Sequence, residues 1–269
     1  LAKEVLTNLS KLPLDPETLL SKGRLERELG FIDAAEASLN VVVKSGDQRQ
    51  KNMALWNISH MQLIKRDFEN GWKNYENRLL EDISGVGNLN SSKMWKGEPL
   101  KNKAILIFSE QGYGDSIQFL RFLPWLKDQA KQVYLVVSKS LETLVKSNPF
   151  FKGINLVFSK ESFQYNCWSF LPSLAKYYGV NANNVPVTKG YLFPDKNRVD
   201  YFSSFIDSDL NKLKVGLVWK GNSNRYLDSY RSLSLFDFSP LLSVKGVSFY
   251  SFQKGDGETD LLNDSYSMK

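Results

Sequence analysis

Two glycines and two carboxylates lie together in the segment Glu110-Gln111-Gly112-Tyr113-Gly114-Asp115, just after the apolar run Ala104–Phe108. A glycine-rich turn between a buried strand and a helix lets the backbone approach a ligand closely, and it points free helix amides at negative charge. Asp115 opens the predicted helix, where an aspartate caps free N–H groups. At the carboxyl edge of a parallel sheet the same carboxylate can act as a general base, and both roles can hold at once.

The glycine turn does not fit the common nucleotide-binding signatures. A nucleoside-triphosphate loop requires a Gly-Lys-Ser/Thr ending, which this turn lacks. A dinucleotide fingerprint needs a third glycine and an acidic residue at the end of the second strand, but that strand ends Val136-Val137-Ser138-Lys139. The same missing carboxylate disfavours a methyltransferase.

A second loop supplies positive charge. It contains three cations with small and amide residues between them: Lys220, Gly221, Asn222, Asn224, Arg225 and Arg231. A transferase that expels a diphosphate without a metal ion needs cations or backbone amides around the leaving group. The alternative is that this segment is a solvated surface loop.

The composition excludes two classes of enzyme. The chain has one histidine, His60, and one cysteine, Cys167, and the pattern around each favours a packing role. Ser–His and Cys–His hydrolases and His/Cys zinc enzymes are therefore excluded, and no metal site is predicted. The net charge of +6, from 35 basic and 29 acidic residues, suits anionic ligands. Because this charge is spread along the chain, no nucleic-acid partner is predicted.

Alternating strands and helices are expected to position the glycine turn. The expected strands are Ala104–Phe108, Val133–Val137 and Ile154–Val157, and the expected helices are Ser116–Leu126, Leu141–Ser147 and Ser169–Tyr178. Such alternation predicts an α/β fold with a parallel sheet covered by helices. A strand or extended segment at Val187–Phe193 and a helix at Arg198–Phe205 are expected to follow.

A second α/β unit is expected to open at Lys214. Its predicted strands are Val215–Trp219 and Val247–Phe252, with a helix at Ser239–Ser243 between them. A domain of this kind that stopped at Lys269 would be too small, so we expect the second unit to be incomplete within these residues.

Residues 1–92 are predicted to be helical and to repeat with a period of 36. The corresponding positions are Gly23, Gly30, Ala35 and Leu39 in the first copy and Ser59, Arg66, Gly71 and Tyr75 in the second. The predicted helices are Pro16–Leu29, Asp33–Val43, Lys51–Ile64 and Phe68–Leu80, and the polar segment Glu81–Ser92 is predicted to be a linker.

The small residues of the first copy resemble those of tetratricopeptide repeats, from which the second copy departs at Ser59 and Arg66. Such hairpins either bind a protein partner or buttress the next domain.

Together these pieces resemble the heptosyltransferase-like glycosyltransferases of family 9, in the form fused to tetratricopeptide repeats. The matching residues are Trp95-x-Gly97-x-x-Leu100, Glu110-Gln111-Gly112-x-Gly114-Asp115-x-x-Gln118-Phe119-x-Arg121-Phe122, Val215-Gly216-Leu217-Val218-Trp219-x-Gly221-Asn222, Arg231-Ser232-Leu233 and Phe252-Gln253-Lys254-Gly255. Their order and spacing agree over residues 93–269.

The resemblance implies a GT-B architecture, in which two Rossmann-like domains face each other. Residues 1–92 would form the helical repeats with their linker, 93–210 the acceptor domain, and 211–269 the start of the donor domain. It also implies inverting transfer of a sugar from a nucleotide-sugar donor to a glycan, a lipid-linked sugar or a protein, with no metal or other cofactor. Asp115 matches the family's Gly-Asp and would deprotonate the acceptor hydroxyl. The residues expected to contact substrate are Gln111, Gly112, Gly114, Gln118, Lys220, Asn222, Arg231 and Ser232.

The chain departs from the family at its C-terminal end. The remaining elements of the donor domain, including a His-containing motif at the donor phosphates, do not occur in these residues, so we expect this segment alone to be inactive. The competing hypothesis is a non-catalytic repeat scaffold with a degenerate transferase domain. Without an apolar run of about 20 residues or a signal-peptide pattern, the sequence predicts no transmembrane segment and a cytoplasmic location.

Overall fold

The computed structural model describes residues 2–9, 11–80, 89–157, 164–186, 190–206, 212–221, 223, 228 and 231–262. The chain divides into two compact units, Leu1–Asp195 and Lys196–Lys269. The first contains helices followed by a four-stranded parallel sheet, which confirms the predicted α/β class. The finer division into 1–92, 93–210 and 211–269 stays a prediction. Within the described residues, no helix has the length and apolarity that a bilayer span requires.

The first unit begins with five helices. They are α1 (Ala2–Leu9), α2 (Pro16–Glu28), α3 (Ile32–Ser45), α4 (Gln48–Ile64) and α5 (Phe68–Tyr75), after which Glu76–Leu80 forms a 3-10 turn. Asp15 caps α2, and Asp47 caps α4 in a capping box with Gln50. Leu39 and Met61 lie fully buried between the helices. All four predicted helices are confirmed, and only the last turn of the fourth is 3-10 rather than α-helical.

The two helical hairpins repeat at the level of the backbone. Gly30, which ends the first turn between helices, has φ +81°, and Arg66, 36 residues later, has φ +65°. At both turns the next residue donates its N–H to the carbonyl five residues earlier, at 2.8 and 2.9 Å. The second copy therefore keeps the left-handed turn of the first even though an arginine replaces the glycine.

The rest of the first unit is a sheet with its connecting helices. The strands are β1 (Ala104–Phe108), β2 (Gln132–Val136), β3 (Asn155–Leu156) and β4 (Cys167–Phe170), and the helices are α6 (Tyr113–Phe119), α7 (Leu123–Gln129), α8 (Lys139–Lys146) and α9 (Leu174–Tyr178). All strands are parallel, in the order β3-β2-β1-β4. The order reverses between β1 and β4, and ligands of such sheets bind outside the carboxyl ends of the strands at this point.

The prediction of a helix at Ser169–Tyr178 was wrong over its first half. Residues 167–170 pair in parallel with β1, and helix α9 begins only at Leu174. Trp168 and Phe170 alternate with Ser169, so both rings pack on one face of the sheet. The apolar residues at this position satisfy a strand's two-residue period, which the helical interpretation overlooked.

Each face of the sheet is covered by a different part of the chain. Ile105 and Ile107 pack against α6 and α7, the helices that follow the glycine turn. On the opposite face, Leu106 and Phe108 pack against Leu79 from the 3-10 turn after α5. The helical segment (residues 2–80) and the sheet therefore share a core within the first unit.

The second unit contains a two-stranded parallel sheet. Its elements within the described residues are α10 (Lys196–Ser203), β5 (Leu213–Leu217), a 3-10 turn at Leu235–Phe238, α11 (Ser239–Leu242), β6 (Val247–Ser251) and a 3-10 turn at Glu258–Leu262. Leu217, Trp219, Leu235 and Phe249 form its buried core. The predicted strands and helices of this region are confirmed with ends shifted by one or two residues.

Two predicted segments lie partly outside the described residues. Within Val187–Phe193, residues 187–189 are outside them, and residues 190–193 form no strand. Within the linker Glu81–Ser92, residues 81–88 are outside them, and a 3-10 turn spans Ser91–Lys93.

Candidate functional site

The glycine turn lies between a strand and a helix, as predicted. It starts where β1 ends at Phe108, and Gly112 is the residue that precedes α6. Between them, Gln111 adopts a left-handed backbone with φ +63°, which is uncommon for a residue with a Cβ atom. This geometry turns the chain sharply at the carboxyl edge of the sheet.

Asp115 caps the helix with one carboxylate oxygen. Its Oδ2 accepts the backbone N–H of Gly112 at 2.9 Å, and the side chain is partly buried. Among the described residues, no group donates a hydrogen bond to Oδ1. The structure therefore contains the capping role that the sequence allowed and leaves the second oxygen available for a proton.

Of the other residues predicted here to contact substrate, Gly112 is half-buried and the remaining three are exposed. A Cβ atom built on Gly114 would meet no atom within 4 Å, so packing does not require a glycine there. Gln118 lies exposed on α6. Gln111 is exposed as a whole, but its Nε2 donates to the hydroxyl of Tyr75 at 2.6 Å.

A buried arginine holds the turn against the helical segment. Arg78, with only 4% of its side chain exposed, donates to Glu110 Oε1 from Nε at 2.8 Å and from Nη2 at 2.5 Å. Nη2 also donates to the hydroxyl of Ser173 at 2.9 Å, and Nη1 donates to Glu76 at 2.7 Å and to the Tyr75 carbonyl at 3.1 Å. One bond from Nε, two from Nη1 and two from Nη2 match the five N–H donors of a guanidinium.

The charge of Arg78 is stabilised by its acidic partners. Burial by itself lowers the pKa of a guanidinium, but the carboxylates of Glu110 and Glu76 outweigh it and hold the pKa of Arg78 above its ordinary value. Arg78 is therefore a cation at neutral pH, and the glycine turn is held through Glu110 by a charged side chain whose hydrogen bonds are all made.

The cationic loop, residues 220–232, lies in the second unit, and several of its described polar groups have partners within that unit. Lys220 Nζ forms an ion pair with Asp260 at 2.9 Å. The Ser232 hydroxyl accepts the N–H of Gly221 at 2.9 Å and donates to Asp228 at 2.7 Å.

Among the described residues of this loop that were predicted to contact substrate, Arg231 has the most exposed side chain. Its side chain is 59% exposed, and its Nε lies 3.6 Å from Asp228 Oδ1, beyond hydrogen-bonding distance. Asn222, Asn224 and Arg225 lie outside the described residues.

Gln253, which was not predicted from the sequence as a site residue, holds the start of this loop through its side-chain amide. Its Oε1 accepts the backbone N–H groups of Trp219 and Lys220, both at 2.9 Å. Its Nε2 donates to the carbonyls of Lys220 and Lys254, both at 3.1 Å. The buried amide of Gln253 therefore makes all four of its hydrogen bonds to the backbone and fixes the conformation of the loop. Its position in the segment Phe252-Gln253-Lys254-Gly255, which matches the family, is the sequence feature that could have identified it.

The chain is similar to a distant relative over most of its length. The chain is 26% identical to Protein FlbA of Caulobacter vibrioides over an alignment of 263 residues, which covers 87% of this chain and 42% of FlbA. The chain therefore spans less than half the length of that relative. No family model matches the chain, and no solved structure matches it significantly.

Proposed function

We propose that this chain belongs to a sugar transferase that moves a sugar from a nucleotide-sugar to the hydroxyl of a glycan, a lipid-linked sugar or a protein. The observation that carries the proposal is the carboxylate of Asp115 at the carboxyl edge of the sheet. One oxygen is fixed by Gly112, and the other accepts no hydrogen bond from the described residues. A carboxylate oriented in this way is suited to general-base chemistry.

In the proposed reaction, Asp115 Oδ1 takes the proton of the acceptor hydroxyl. The acceptor oxygen attacks the anomeric carbon, and the bond from that carbon to the nucleoside diphosphate breaks with inversion. The departing diphosphate carries negative charge that cations or amides must stabilise.

We also infer that the helical hairpins are tetratricopeptide-like and that the four-stranded sheet is the acceptor half of a GT-B enzyme. The 36-residue repeat of the left-handed turns supports the first inference. The strand order, with its reversal beside β1, supports the second because the doubly wound order 3-2-1-4-5-6 begins with the same four strands.

A ligand screen of the whole protein tests the proposal. Thermal unfolding is followed with a panel of nucleotide-sugars, the matching free nucleoside diphosphates and an unrelated nucleoside monophosphate as control. We expect at least one nucleotide-sugar and its diphosphate to raise the midpoint, since a ligand that binds the native state stabilises it. If no member of the panel raises the midpoint and none is consumed, the transferase proposal is wrong.

The second candidate function is a repeat scaffold without catalysis. The observation that favours it is that polar groups of the cationic loop already have partners within the chain. Lys220 forms an ion pair with Asp260, and Ser232 donates a hydrogen bond to Asp228, so these groups are less free to bind a diphosphate. A scaffold would bind a protein partner with no nucleotide-sugar present and would hydrolyse or transfer none.

A further inference from the structure

The last turn of the helical segment reaches the glycine turn through two side chains, Tyr75 and Arg78. We propose that both are positioning residues for the glycine turn. The helical segment would then contribute to the acceptor site, the region around the glycine turn and Asp115, by holding its backbone in place. This inference rests on the proposed transferase function. It assigns these residues no contact with substrate.

Tyr75 holds Gln111 in its unusual conformation. The left-handed backbone of Gln111 is disfavoured by its Cβ atom, and the bond from its Nε2 to the Tyr75 hydroxyl, at 2.6 Å, offsets this. The phenol ring is itself fixed, because Trp72 packs edge-on with its centroid 5.5 Å away and the Arg78 guanidinium lies 4.4 Å over the ring. Tyr75 therefore presents its hydroxyl from a rigid support.

Arg78 joins the loops on either side of the point where the strand order reverses. Glu110 follows β1 and Ser173 follows β4, and both accept hydrogen bonds from Nη2 of Arg78. Because all five N–H donors of Arg78 already have acceptors in the chain, it is not available to bind a substrate phosphate. Its geometry fits positioning rather than binding.

These contacts extend to the proposed base through the backbone. Gln111 is followed by Gly112, and the N–H of Gly112 is the group that fixes the Asp115 carboxylate. Releasing Gln111 should therefore loosen the orientation of Asp115. The expected consequence is a lower kcat with little change in the KM for the donor, since donor contacts are not altered.

The test compares two single-hydroxyl deletions in the whole protein. Tyr75→Phe removes only the oxygen that accepts from Gln111, whereas the matched control Tyr177→Phe removes a hydroxyl that donates to the Trp95 carbonyl elsewhere in the same unit. We expect amide hydrogen exchange of residues 110–116 to rise about tenfold in Tyr75→Phe and to stay unchanged in Tyr177→Phe. We expect kcat to fall about tenfold only in Tyr75→Phe.

Arg78→Lys provides a second variant, since it keeps the charge but offers three N–H donors instead of five. Here exchange should rise both at residues 110–116 and at residues 171–174, because two loops lose a partner. Tyr75→Phe should leave residues 171–174 unchanged.

The outcomes separate this inference from the proposed function. If exchange at residues 110–116 is the same in Tyr75→Phe and Tyr177→Phe, or if the wild type transfers sugar and Tyr75→Phe has its full kcat, the positioning role is overturned. If exchange rises as expected but the wild type transfers no sugar, the positioning of the turn is supported and the transferase proposal fails.

Discussion

The Oδ2 atom of Asp115 accepts the backbone N–H of Gly112 at 2.9 Å. This contact closes the first turn of α6 and also fixes the carboxylate that we propose as the base. The stability of the helix start and the proposed proton transfer therefore depend on the same side chain. Substitutions of Asp115 that keep the hydrogen bond to Gly112 but cannot accept a proton separate the two roles.

Asp115→Ala should destabilise the protein more than Asp115→Asn. The alanine variant leaves the Gly112 N–H without its acceptor and should lower the free energy of unfolding by about 1 kcal/mol. The asparagine variant retains a side-chain oxygen and should lose less than half of that. Urea titration followed by tryptophan fluorescence measures both, and equal losses would show that the cap contact contributes little.

Gly114→Ala should stabilise the fold and weaken the acceptor site. A Cβ atom at this helical position meets nothing within 4 Å, and replacing glycine by alanine in a helix stabilises it by about 0.5–1 kcal/mol. If a substrate approaches the Gly114 backbone, the added methyl group should raise the KM for the acceptor several-fold. A more stable variant with unchanged KM would mean that no ligand comes close at this point.

Arg66→Gly should stabilise the helical segment. Arg66 has φ +65°, a conformation that glycine adopts without a steric penalty, so the expected gain in unfolding free energy is about 1 kcal/mol. Lys73→Gly is the matched control, because Lys73 is an exposed basic residue within α5 and should lose about 1 kcal/mol. Destabilisation by both variants would contradict the left-handed turn at Arg66.

Cys167 should react slowly with alkylating agents. Burial raises the pKa of its thiol to about 11, from the ordinary value of 9.0. Since the thiolate is the reactive form, alkylation by iodoacetamide at pH 7 should be about 100-fold slower than in the urea-unfolded chain. The rate in the folded protein should keep rising with pH up to about 11, and a plateau below pH 9 would refute the raised pKa of this half-buried thiol. The chain has no other cysteine, so the signal is unambiguous.

Much of the fold could be predicted because local periodicity reports burial. The apolar patterns predicted the helices of the first segment and strand β1 directly. Arg66 replaces the glycine of the first copy, but the turn between the helices of the second copy keeps its conformation because the same backbone hydrogen bonds form in both copies. Strand β4 was mistaken for a helix because a short apolar run fits both periods, and only pairing with β1 distinguishes them.

The supports of the site could not be predicted in the same way. Arg78 lies 32 residues before Glu110 and 95 before Ser173, and Gln253 lies 33 residues after Lys220. No local pattern encodes such contacts, since they depend on the packing of the helical segment on the sheet and on the closure of a loop. The sequence could therefore indicate the residues of the turn but not the side chains that hold it.

The most direct test is the rate of sugar transfer by the whole protein carrying Asp115→Asn, measured with a donor that the wild type uses. Asparagine can keep the bond to Gly112 but cannot take a proton, so we predict an unfolding midpoint close to that of the wild type and a kcat lower by a factor of roughly 10²–10⁴. A variant that transfers sugar at the wild-type rate would contradict the assignment of Asp115 as the base.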